Sequence, residues 1–169
     1  MLLLALLLSQ PAAASEKTVD DFYASLTLSL PLLDVPLFEV TGEFKVADEV
    51  SVGIIGAYGN PNGVSAFEVG AHGRYYLLGD FKAGMQLGAE VVYLRGSAAE
   101  GSVSGTGSQL TAGPFIGGKW IADVGFTVDG QAGVQYITSS VQAYDGQSSA
   151  ETSASGVGPL LNLNLGWSF

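Results

Sequence analysis

Three features of the sequence predict an all-β chain closed as an eight-stranded antiparallel up-and-down barrel. Apolar and polar residues alternate with a period of two through eight segments. Gly, Pro, Asn and Asp punctuate those segments at turn positions. The last eleven residues, PLLNLNLGWSF at 159–169, split into two rows. Leu161, Leu163, Leu165, Trp167 and Phe169 form an apolar row, and Asn162, Asn164, Gly166 and Ser168 form a small polar one. An apolar row ending in two aromatics suits a strand with lipid on one side and a polar interior on the other.

Composition points the same way. The 169 residues fit one domain. They are 47% hydrophobic but only 13% charged, about half the soluble average. After the N-terminus no run of about 18 apolar residues occurs, so the hydrophobic content is spread over short segments rather than gathered in a spanning helix. The formal charge of −10 argues against nucleic acid as a partner. Cysteine is absent, which removes disulfide and thiol chemistry. The opening MLLLALLLSQPAAAS reads as a secretory signal peptide, with an apolar run over 2–8 and small residues at Ala12, Ala13 and Ala14. Cleavage after Ala14 would divide the chain into a signal peptide, 1–14, and a barrel, 15–169.

The elements follow in order. Strand one, 22–30, puts Ala24, Leu26, Leu28 and Leu30 opposite Tyr23, Ser25, Thr27 and Ser29. Prolines at 31 and 36 close it, because proline cannot donate to a ladder. Strand two, 37–46, alternates Phe38, Val40, Gly42 and Phe44 with Glu39, Thr41, Glu43 and Lys45. A turn at Ala47 and Asp48 leads to strand three, 49–58, and NPNG at 60–63 is the next turn. Strand four, 65–77, alternates Phe67, Val69, Ala71, Gly73, Tyr75 and Leu77 with Glu68, Gly70, His72, Arg74 and Tyr76. Gly79 and Asp80 turn the chain into strand five, 81–94, whose polar row includes Lys82, Gln86 and Glu90. Strand six is 109–120, and Ala122 with Asp123 turns it into strand seven, 124–138. Two stretches rich in Ser, Gly and Ala, 95–108 and 139–156, read as flexible loops. Connections then alternate between tight turns and longer loops. Pro114, mid-strand in GPFIGG, predicts an irregularity in strand six.

Alternation alone does not say which row faces water, since a soluble barrel also alternates. Charge and aromatic placement decide it. The charges inside strands, Glu39, Glu43, Lys45, Glu68, Arg74, Lys82, Glu90, Lys119 and Asp129, all have the parity of the polar rows, with His72 among them. Five carboxylates against four cations is near balance, as expected of ions paired across an enclosed lumen. The apolar rows carry Phe22, Phe38, Tyr75, Phe81, Tyr93, Trp120, Phe126 and Tyr136 near strand ends, besides Trp167 and Phe169. Such rings form girdles at two membrane interfaces. Together with many Leu and Val they would overfill the inside of an eight-stranded barrel.

The terminal Phe169, the alternating apolar row before it and the strand count resemble the small eight-stranded outer-membrane β-barrels of bacteria, the OmpA/OmpX type. The final-strand pattern is similar to the assembly signal of that family, although Gly falls here at 166 and Asn164 holds the usual glycine position. The resemblance implies a bacterial outer-membrane location, contact with outer-membrane lipid, delivery by the barrel assembly machinery and a monomeric state. It implies no cofactor and no metal. The expected role is that of a non-enzymatic structural or interaction protein with a charge-paired interior. A narrow pore for small solutes or ions is the runner-up. A lipid-modifying enzyme comes third, because His72, the single histidine, lies in the lumen row without a matching Ser motif.

Overall fold

A computed structural model describes residues 22–30, 37–100, 103–144 and 147–169. The signal-peptide boundary lies outside them. The eight strands are β1 (Ala24–Leu30), β2 (Phe38–Ala47), β3 (Val50–Gly59), β4 (Ser65–Gly79), β5 (Ala83–Glu100), β6 (Val103–Ile121), β7 (Phe126–Tyr144) and β8 (Ser149–Ser168). Each pairs antiparallel with its sequence neighbour, and β1 pairs with β8 to close the barrel. The seam runs from Ser25 opposite Ser168 to Leu30 opposite Leu163. Beyond it, Tyr23 N–H donates to Phe169 C=O at 2.8 Å and Phe169 N–H to Ala24 C=O at 2.9 Å. The chain's aromatic end is thus sewn into the first strand by backbone bonds.

At one barrel end the turns are short. Asp48 and Glu49 join β2 to β3. Gly79, at φ 82°, turns β4 into β5, and an Asp80 carboxylate oxygen accepts from the Lys82 and Ala83 N–H groups. Gly125, at φ 91°, precedes β7. Those positive φ values are comfortable only for glycine. At the other end, Pro61–Gly63 forms a single 3₁₀ turn between β3 and β4.

The main correction concerns the Ser/Gly/Ala stretches. They are not loops. Residues 95–100 pair with 103–108, from Arg95 opposite Ser108 to Glu100 opposite Val103. Residues 139–144 pair with 149–154, from Ser139 opposite Ala154 to Tyr144 opposite Ser149. β6 and β7 join the two hairpins, from Ser108 opposite Ser140 to Ser104 opposite Tyr144. Small side chains supply little strand preference of their own, but the registered strands below template the ladder above, and sheet preference is set by context. Two long hairpins therefore project as one four-stranded sheet, while β1 to β4 end lower.

The irregularity expected at Pro114 is present as a gap in pairing. The β6–β7 pairs are interrupted between Ala112–Tyr136 and Phe115–Gly133, with the register unchanged on either side. Pairing of Pro114 with Ala89 on β5 continues. Gly113 and Gly133 line the gap, where a Cβ would meet the Val134 and Pro114 carbonyl oxygens at 2.0 and 2.2 Å. Two glycines let the strands close around a position that lacks a donor.

The polarity of the barrel is inverted relative to a soluble one. Ile54, Val69, Leu87, Ile116 and Trp167 face outward and are exposed, whereas Glu43, Arg74, Lys119 and Asp129 face inward and are buried. Leu161, Leu163, Leu165, Trp167 and Phe169 all have outward parity, opposite buried Leu160, Asn164 and Ser168. The apolar residues that do fill the interior include Ile55, Ala57, Val92, Phe115 and Leu160 toward the hairpin end. At the turn end, Tyr76, Phe81 and Ile121 pack together, with Phe22 against them.

Candidate lumen charge network

The centre of the lumen is organised by one carboxylate. Glu43, on β2, is 2% exposed. Its oxygens accept from Arg74 on β4 at 2.8 Å and from Lys119 on β6 at 2.9 Å. Ser51 at 2.5 Å, Tyr76 at 3.1 Å and Ser25 at 3.5 Å complete the set of donors. Arg74 bridges across the barrel to Asp129 on β7, and its second terminal nitrogen reaches Gln131 Oε1 at 3.3 Å. Asp129 also accepts from Gln86 at 3.2 Å, and Lys119 donates to Ser25 at 3.1 Å. Two carboxylates thus meet two cations, so this buried cluster is formally neutral. That balance matters because a lone ion in such a place is costly.

Aromatic rings flank both cations. Lys119 Nζ lies 3.6 Å from the Phe81 ring centroid, and the Arg74 guanidinium lies 5.8 Å from that of Phe115. A ring face attracts a cation, more so when water is excluded. Tyr76 and Phe81 meet edge to face at 6.2 Å. The network therefore rests on an apolar cap made by Tyr76, Phe81 and Ile121 at the turn end.

Toward the hairpins the lumen is acidic. Glu90 accepts from Gln131 at 3.0 Å, and Glu39 accepts from Ser29. Ser29 also donates to Asn164 at 2.5 Å. Among the described residues none of Glu39, Glu68 and Glu90 forms an ion pair. His72 is buried, and neither ring nitrogen has a hydrogen-bond partner among the described residues. The imidazole lies over Gly53, where a Cβ would stand 2.2 Å from Nε2. A general base needs a nucleophile within hydrogen-bond reach, and no hydroxyl bonded to His72 supplies one. Among the described residues no group of three metal-ligating side chains occurs.

The expected ten-residue lumen set thus divides. Glu43, Arg74, Lys119 and Asp129 come together. Glu39, Glu68, Glu90 and His72 line the same interior without cationic partners. Lys45 and Lys82 pair apart from both groups. Lys45 bonds Asp48 at 3.1 Å across the β2–β3 turn, and half-exposed Lys82 bonds Asp123 at 2.9 Å at the same end. β5 begins at Ala83, so Lys82 belongs to the turn, where a long side chain can reach water.

The aromatic set divides too. Phe38, Tyr75, Tyr93, Trp120 and Tyr136 are outward and exposed. Phe126 stacks edge to face on outward Trp167 at 5.8 Å. Phe81 is 2% exposed and points inward, and Phe22 packs beside it. Both precede their strands, so strand parity does not govern them. The β4–β5 register shifts between Tyr76 and Leu78, just before the turn that carries Phe81. Phe44, Tyr58 and Phe67 are outward rings that the reading did not assign to a girdle, and Phe38, Tyr58 and Phe67 follow one another across β2, β3 and β4. Ser25, Ser51, Tyr76, Gln86 and Gln131 are network members that charge counting passed over. Their polar-row parity was the available signal. Compared with protein-family models, with curated proteins and with solved structures, the chain matches none.

Proposed function

We propose that this chain is a bacterial outer-membrane protein of the small eight-stranded kind, a non-enzymatic structural or interaction barrel with a plugged lumen. One observation carries the reading: the wall is apolar outside and ionic inside. A monomer in water rarely exposes contiguous apolar patches beyond a few hundred Å². Here exposed apolar side chains recur on every strand, among them Leu26, Phe44, Ile54, Val69, Leu87, Ile116, Val134 and Leu161. A closed barrel satisfies all backbone groups without an edge, the condition for crossing hydrocarbon with strands. Exposed rings toward both rims, Tyr75 and Trp120 at one and Tyr58 and Tyr93 at the other, suit membrane interfaces.

The plug follows from the Glu43 cluster and the cap below it. Guanidinium, ammonium and two carboxylates cross the lumen at one level, and Tyr76, Phe81 and Ile121 close it at the next. The barrel acts as a rigid platform for the projecting hairpin sheet. Two measurements test this. Heat-modifiable gel mobility of protein extracted from outer membranes is expected, and a protein recovered folded in the aqueous fraction would end the membrane reading. Purified protein in planar bilayers should give no discrete channel openings; reproducible openings would reject the plug in favour of a narrow pore.

A further inference from the structure

The projecting sheet carries a cleft that the barrel does not need. Two cross-strand rows meet on its outward face. Ser104, Tyr144 and Ser149 are register partners across β6, β7 and β8, and Thr106, Gln142 and Glu151 form the next row. With Ala143 and Ala150 between them, these rows line a cavity of about 360 Å³, within the range of small-molecule sites. We propose that this cleft binds neutral hexose units of a glycan displayed at the same surface, an inference that rests on the outer-membrane reading only for where the glycan stands.

The chemistry selects that class. Four hydroxyl side chains, one amide and one carboxylate offer donors and acceptors in two short rows, which suits a ring studded with hydroxyls. Tyr144 is half exposed, and an aromatic face is where the C–H side of a sugar packs while the phenol stays hydrogen-bonded. No Lys or Arg occurs in 96–118 or after Lys119, and Glu151 is the cleft's charge. Phosphate and carboxylate ligands are therefore repelled rather than held. A protein partner would seek buried aromatic or Arg anchors, and the cleft has no Trp, Phe, Leu or Arg.

The test uses the full chain refolded in detergent micelles and followed by amide NMR. A panel of neutral oligosaccharides of glucose, galactose and mannose is titrated into the millimolar range, with glucose 6-phosphate as the anionic probe. At least one neutral glycan should shift the amides of the eight lining residues while those of Thr41 and Thr127 stay fixed. Tyr144→Ala and Gln142→Ala should each weaken that binding by about tenfold, the equivalent of one good contact. Unmoved barrel amides in both variants show that the fold survives. No shift with any neutral glycan, tighter binding of the phosphorylated sugar, or undiminished binding by both variants would overturn the proposal. Membrane residence is scored separately by heat-modifiable mobility, so either reading can fail alone.

Discussion

Replacing Glu43 by Gln keeps the shape of the central acceptor and removes its charge. In the native lumen Arg74 and Lys119 both donate to Glu43, at 2.8 and 2.9 Å, and Arg74 also bonds Asp129. Without the Glu43 charge, two cations face one carboxylate, and the surplus positive charge sits on buried side chains, with Arg74 and Lys119 each 3% exposed. Breaking a buried pair by removing one partner costs about 3–5 kcal/mol. At a urea m-value near 2 kcal/mol/M, the unfolding midpoint falls by roughly 2 M. The assay is equilibrium urea unfolding in lipid vesicles, followed by the fluorescence of Trp120 and Trp167. Lys119→Met combined with Glu43→Gln removes the surplus cation, so the double variant should lose less than the sum of the singles by roughly 0.5–3 kcal/mol. A midpoint unchanged in Glu43→Gln, or strict additivity in the cycle, would refute the idea that these ions hold one another.

Three further outcomes follow from the geometry. Gly88→Ala places a Cβ 2.2 Å from the Phe115 ring and 2.7 Å from the Gly73 carbonyl; overpacking of this kind costs about 1–3 kcal/mol, measurable in the same urea titration, and in a Phe115→Leu background the added loss should shrink without vanishing, because the Gly73 carbonyl contact remains. Ile54→Arg sits mid-strand on the outward face, 64% exposed; in a bilayer it should destabilise by about 2–4 kcal/mol, whereas a neutral effect in vesicles would contradict a lipid-facing wall. Trimming the hairpin tips, 98–105 and 142–151, into short turns should leave heat-modifiable mobility intact, because the network lies at the centre of the lumen and the cap at the turn end; failure to fold would show that the projecting sheet is needed for closure.

The sequence by itself determined the wall. Period-two alternation assigned inward and outward rows correctly for Phe67 to Tyr75 on β4 and for Leu161 to Phe169 at the end, because in a strand parity alone sends a side chain to one face. It also marked Glu43, Arg74, Lys119 and Asp129 as inward. Only the tertiary structure decided which of those ions meet. Pairing across a lumen depends on height along the barrel, set by stagger between strands, and that placed Glu43, Arg74 and Lys119 at one level and left Glu39, Glu68 and Glu90 at another. Parity also stops at turns, so it did not place Phe81 and Lys82, which precede β5. The Ser/Gly/Ala stretches show the same limit from the other side: their composition has weak local preference, and the strands beneath them, already in register, extended the ladder through them.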